Sequence, residues 1–129
     1  MAFKGIRTYT GEEATNILMG QSGFVVIPAA KKLYIDNDGV PTLSNLNGSS
    51  PAAALTDTSI KAKRFPMLRV MDTGVMGCTS ESGDHFTADG LVPDAAQGNF
   101  LTVTLADVYH GPFTEVYSGT STIVVAYLG

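Results

Sequence analysis

Half of this chain lacks positive side chains altogether. All eight Lys and Arg residues lie at or before Arg69, so the first 69 residues set eight basic against five acidic groups for a net +3. The last 60 carry −7 through Asp72, Glu81, Asp84, Asp89, Asp94, Asp107 and Glu115. Asymmetry of this kind bears on partners and solubility and leaves the fold open. Phosphate binding scales with the number of charges neutralised, and the acidic half would repel a polyanion, so direct nucleic-acid binding is not expected. Lys61, Lys63, Arg64 and Arg69 nevertheless cluster around Phe65, a pattern that suits an acidic protein surface or a solvated strand face.

Other absences narrow the chemistry. The chain has no tryptophan and one cysteine; a lone Cys78 excludes an internal disulfide framework and is compatible with a reducing compartment. No apolar run approaches the ~20 residues of a membrane-spanning helix, and the longest, residues 123–128, is strand-sized, so no membrane partner is expected. Lys4 and Arg7 near the start are not followed by the apolar core of a secretory signal. One Cys with His85 and His110 falls short of the four ligands of a structural zinc site. Asp36-Asn37-Asp38-Gly39 resembles the opening of a calcium loop, but Asn47 stands where that loop needs its bidentate Glu, and a hairpin turn is the expectation. Cys78, Asp84 and His85 supply the residue types of a thiol nucleophile, orienter and base. Seven residues along a Gly-rich stretch do not set their geometry, so neither catalytic residues, metal nor cofactor are expected, and the chain does not read as an enzyme.

What the chain has in quantity is Gly, Ser, Thr and Ala in place of charge. Charged residues make up 16%, against the roughly one quarter usual in soluble domains, which lowers the desolvation cost of covering the surface with another protein. At 129 residues one domain is expected, burying roughly two thirds of the surface that the unfolded chain exposes.

The pattern predicts a mainly β fold: a small antiparallel β-sandwich or barrel-like domain with one short N-terminal helix at about residues 11–19. Thr10 is the helix N-cap, Glu13 takes the capping-box position, Gly20 stops the helix, and Ala14, Ile17 and Leu18 share a face. Residues 1–9, with Phe3, Ile6 and Tyr9 apolar and Lys4 and Arg7 basic, form an N-terminal arm or edge strand; residues 10–129 are the domain. Strands are expected at 23–27, at 32–35 and 40–43 about the Asp-Gly turn, at 60–64 and 67–71 about Phe65-Pro66, and at 100–105, where Leu101, Val103 and Leu105 alternate with Thr102 and Thr104. A polar loop at 44–51 leads into one helical turn at 52–55. Residues 73–98, rich in Gly, read as a long loop with one short strand at most, and loops beyond about 15 residues are usually functional. Residues 114–117 and 122–128 read as a hairpin about Ser118-Gly119-Thr120-Ser121. The Ile123–Tyr127 part is apolar on both faces, as a central strand or a partner-covered edge would be.

Gly98-Asn99-Phe100-Leu101-Thr102-Val103-Thr104-Leu105 and the closing stretch Ser118-Gly119-Thr120-Ser121-Thr122-Ile123-Val124-Val125-Ala126-Tyr127-Leu128-Gly129 give the chain a resemblance to small virion proteins of tailed bacteriophages, the capsid decoration or cement proteins in particular. The resemblance is one of style over most of the chain, with no diagnostic motif. It implies a compact β domain, often trimeric, that sits outside a capsid lattice and bridges neighbouring coat subunits, frequently with an extended N-terminal arm. The expectation is therefore a non-enzymatic virion protein made in the host cytoplasm and located on the capsid surface. Its partners would be the coat protein and copies of itself, with a trimer favoured. Its contact residues would be Phe3, Lys4, Ile6, Arg7, Tyr9, Lys61, Lys63, Arg64, Phe65 and Arg69. The alternatives are a receptor- or glycan-binding module using Tyr109, His110, Tyr117 and the long loop, or another virion subunit of the neck, tail tube or minor coat.

Overall fold

A computed structural model describes residues 23–49 and 60–129. The expected arm (1–9), helix (11–19) and helical turn (52–55) lie outside the described residues. Nine strands follow in order: β1 (Phe24–Ile27), β2 (Lys31–Ile35), β3 (Pro41–Asn45), β4 (Phe65–Val70), β5 (Gly74–Ser80), β6 (His85–Phe86), β7 (Leu101–Val103), β8 (Val108–Ser118) and β9 (Val124–Tyr127). All described pairings are antiparallel, in the order β1-β9-β4-β8-β2-β3, with β5 added on β8 and carrying β6 and β7 on its far edge. The sheet folds back on itself into a nearly closed, barrel-like β domain.

The fold turns on β8. Its first half pairs with β4; its second half pairs with β5 on one edge and with β2 on the other. The register of β4 against β8 shifts between Phe65 and Met67, and the two prolines near this point, Pro66 and Pro112, sit where the ladder is already interrupted. A bulge tolerates a residue without an N–H and bends the strand. β8 thereby turns the corner from one layer of the barrel to the other. The core fills the space between the layers: Ile27, Leu33, Phe65, Leu68, Val70, Met76, Cys78, Val103, Val116, Val124 and Ala126 are buried.

Several strands differ from the sequence expectation. β4 starts at Phe65 and runs through Pro66, whereas residues 60–64 form no strand; that segment is anchored by the Ala62 N–H to the Gly39 carbonyl and the Lys63 N–H to the Gly129 carbonyl. Residues 73–98 hold the seven-residue β5 and the short β6, so the loop is shorter than expected. Two of the glycines that read as loop signals, Gly74 and Gly77, are there for close approach. A Cβ on Gly74 would lie 2.1 Å from Thr122 Oγ1, and one on Gly77 would lie 3.1 Å from Pro93 and 3.2 Å from the Phe100 ring. Strand glycines commonly mark such contacts.

The expected hairpin of β8 with β9 does not form. β4 lies between them, pairing with both. The connection is held to β5 instead: the Val75 carbonyl accepts from the Gly119 N–H, and the Val75 N–H donates to Thr122 Oγ1, both at 2.8 Å. β9 takes the central position, between β1 and β4, that its two-faced apolar sequence allows. β7 stops at Val103, because the Thr104 N–H donates to Asp107 Oδ2 and Ala106 adopts φ +71°, leaving Leu105 exposed beyond the strand. The Asp36–Gly39 turn forms as expected, with Asp36 Oδ1 accepting the N–H groups of Asp38 and Val40.

Ser118 and Thr122, both buried polar residues, bracket this connection. The Ser118 hydroxyl donates to the Pro28 carbonyl and accepts the Lys31 N–H, tying the β1–β2 link to the end of β8. Replacing Thr122 with Val keeps the shape and leaves the Val75 N–H without its acceptor, so a loss of about 1–3 kcal/mol is expected in a denaturant midpoint measurement. Gly74→Ala is expected to destabilise further, because its Cβ has no room beside the same hydroxyl.

Candidate interaction site

The segment between β6 and β7 (residues 87–100) is organised by side chains instead of a ladder. Asn99 is its hub: Nδ2 donates to Asp89 Oδ1 and to the Val92 carbonyl, each at 3.0 Å, and Oδ1 accepts the Asp94 N–H at 2.8 Å. Both protons and one lone pair of the amide are thus engaged. Asp89 Oδ1 also accepts the Leu91 N–H at 3.0 Å, and the Thr87 hydroxyl donates to the Leu91 carbonyl at 2.7 Å. Gln97 Oε1 accepts the Thr120 N–H, linking the loop to the β8–β9 connection. Pro93 and Phe100 are buried against Gly77 of β5.

This framework presents Leu91 and Val92 to solvent at 65% and 61% exposure. Two adjacent large apolar side chains at the tip of a hydrogen-bonded loop make a preorganised anchor, since little ordering entropy remains to be lost when a partner covers them. The sequence reading left them inside the long Gly-rich loop expected at 73–98. A legible signal was available in the Asp/Asn residues at 89, 94 and 99, which bond backbone groups two to seven residues away and so stiffen a loop.

The basic cluster is dispersed. Lys61 and Lys63 are exposed at the surface, with Lys61 Nζ donating to the Asp38 carbonyl. Arg64 makes a two-point ion pair with Glu81 at 3.0 and 3.1 Å, and Arg69 points outward from β4. Phe65 is a correction: it is fully buried in the core, because the bulge turns it inward, and it offers nothing to a partner. Phe3, Lys4, Ile6, Arg7 and Tyr9 lie outside the described residues. Charge asymmetry along the sequence is partly resolved inside the fold. Arg64 with Glu81, and Lys32 with Glu115 at 3.7 Å, pair the two halves of the chain.

The Cys78, Asp84 and His85 trio does not assemble. His85 Nδ1 hydrogen-bonds Thr79 Oγ1 at 3.0 Å, while Cys78, the neighbouring residue on the strand, faces the core. Burial pushes the thiol well above its ordinary pKa, the reverse of what a nucleophile needs. Beside it Ser80, Glu81, Asp84, His85, Phe86 and Phe113 help line an open groove of about 610 Å³, in which Ser82 Oγ donates to Asp84 Oδ2. The aromatic trio of the binding-module alternative does not converge either. Tyr117 is 5% exposed, edge-on to Phe100, under the Lys32 ammonium and bonded to Glu115. Tyr109 pairs with the inward-facing Leu68, packs on Phe86 and bonds Asp107, while His110 is on the outer surface. Burial, then the Glu115 carboxylate, raises the Tyr117 phenol pKa; burial, then Asp107, does the same for Tyr109. Among the described residues no group of three or more His, Cys, Asp or Glu could hold a metal ion.

Comparisons with protein-family models, with curated proteins and with solved structures return no match.

Two outcomes follow from this geometry. Asp89 is held below the usual carboxylate range, first by the Leu91 N–H and then by the Asn99 amide. Its contribution to loop order is therefore present above the ordinary Asp pKa and is lost as the pH falls through the lowered value. The protection factor of the Leu91 amide is expected to fall on acidification through that range in the wild type, and Asp89→Asn is expected to remove the dependence. Cys78 is expected to resist alkylation at pH 8 in the folded protein and to react fully once denaturant is added, as a timed thiol titration would record.

Proposed function

We propose that this protein is a non-catalytic assembly subunit that works by covering protein surface, as a capsid decoration protein bridging neighbouring coat subunits does. The observation that carries the reading is the rigid loop that holds Leu91 and Val92 out in water. An isolated exposed Leu needs no explanation; an adjacent apolar pair on a loop whose amides and hydroxyls are already engaged is costly to keep without a partner. The low charge density of the chain supports the same reading, because a partner can cover it with few ions to desolvate. The virion assignment rests on the resemblance of residues 98–105 and 118–129 to small phage structural proteins.

In this reading the β barrel is a rigid carrier. Each copy sets its apolar tip into a coat-protein groove, and a closed homo-oligomer, a trimer for preference, makes several such contacts at once, so that individually weak contacts add to firm attachment. Bridging places buried area across the boundaries between coat subunits, which must be separated before the shell can open.

The test pairs Leu91→Asp with Val92→Asp. Because both side chains are exposed, the double variant is expected to keep the thermal midpoint of the wild type to within a few degrees. It is expected to lose cosedimentation with tailed-phage capsids stripped of their surface proteins. Native mass spectrometry of the full chain reads self-association separately, and a discrete oligomer is expected. Wild-type protein that stays behind while the capsids sediment, or a variant that still travels with them, would overturn the proposal.

A further inference from the structure

The outer surface of the layer built from β1, β9, β4 and the first half of β8 is apolar over two consecutive rows. The ladder registers align Phe24, Tyr127, Met67 and His110 in one row, and Val26, Val125, Arg69 and Val108 in the next. Met71, bonded through its N–H to the Ile123 carbonyl, extends the surface at one end. Phe24, Val26 and Val108 are exposed by 55%, 46% and 44%, whereas Met67 in the first row is buried. A sheet face of this composition ordinarily lies against another layer. Its one Arg, Arg69, has no carboxylate beside it in either row.

We infer that this face is the seat of residues 10–20 of the same chain, which lie outside the described residues and carry the helix signals of the sequence. Four observations select this occupant. The segment joins the layer at its edge, through Gly20-Gln21-Ser22 into Gly23 and β1. Gly23 adopts φ +96°, a conformation that turns the chain out of the line of β1 instead of prolonging the strand. Ala14, Ile17 and Leu18 recur at the i, i+3, i+4 spacing of a single apolar stripe. A nine-residue helix over 11–19 is about 13.5 Å long, and four strands span about 14 Å from first to last.

Charge and area argue against a second copy as the occupant. A two-fold contact brings the same surface to itself, so Arg69 would enter an apolar interface with no carboxylate from the facing rows. The segment brings Glu13, one turn before Ile17 at the flank of its apolar stripe. The face measures about 14 Å by about 17 Å, roughly 240 Å² in plan, which suits one short helix and is well short of the ~800 Å² per partner of a stable interface.

The experiment uses the full chain with Asn16→Cys, a position opposite the apolar stripe, labelled with a nitroxide; Cys78 is buried and stays unmodified. The expected result is loss of most of the NMR methyl intensity of Val26, Val125 and Val108, unchanged on tenfold dilution. Adding Ile17→Asp and Leu18→Asp is expected to restore that intensity. In an equimolar mixture of nitroxide-labelled chains without isotope and isotope-labelled chains without nitroxide, no broadening is expected. Broadening in the mixture would assign the face to the segment of another copy, and absence of broadening in the labelled chain would leave the face without this occupant; either result overturns the inference. Neither bears on Leu91 and Val92, which belong to the segment between β6 and β7.

Discussion

The partner change along β8 is the constraint on which the rest of the structure depends. Eleven residues in one strand serve β4 first and then β5 and β2 together. The change occurs where the register shifts and where Pro66 and Pro112 could not have continued a regular ladder. Phe113 pairs with Phe65 on one side and Ser80 on the other, so the corner is packed by two aromatic side chains at the point where the hydrogen bonding is weakest. Without the bend, β2 and β3 would continue the layer of β4 and β9 as an open sheet, and Leu33 and Val116 would lose the layer they are buried against. β1 and β3 would then be the exposed ends of a flat sheet, the arrangement most prone to edge pairing.

The same corner explains what was legible in the sequence and what was not. Local patterns were readable where local physics decides: the Asp36–Gly39 turn, whose carboxylate bonds its own backbone, and the two-faced apolar run of β9. They failed where a residue type is chosen by a distant neighbour. Gly74 and Gly77 read as loop glycines, yet each is dictated by the approach of side chains 16 to 48 positions away in sequence, Thr122 in one case and Phe100 with Pro93 in the other. The β8–β9 hairpin failed for the same reason. Two strands with a four-residue turn between them look like neighbours, and only the tertiary arrangement places β4 in between.

Phe65 and the Leu91–Val92 pair show how site prediction follows that division. Next to three basic residues, Phe65 looked like part of a contact surface; a bulge that no local pattern announces turned it into the core. Leu91 and Val92 fell within a Gly-rich stretch that read as a long loop, and no local apolar periodicity marked the polar residues around them as structural. In the folded chain those polar residues are the structure. Asn99 satisfies three groups, Asp89 and Thr87 hold Leu91 from both sides of its peptide unit, and the loop owes its shape to Asx bonding where a ladder would otherwise be needed.

Charge completes the argument, because it separates what the fold uses from what it leaves outward. The halves of the sequence differ in sign, and among the described residues Lys32 and Arg64 meet acidic partners from the other half within the chain. Such half-exposed pairs contribute little to stability; their effect is to reduce the long-range field that the sequence asymmetry would otherwise produce. What remains outward beside exposed charges such as Lys61, Lys63, Asp84 and Asp94 is the apolar loop tip at Leu91 and Val92, a feature of short range. Recognition by such features depends on shape and apolar fit more than on steering. In the proposed reading, partners are discriminated by whether they can cover the apolar tip.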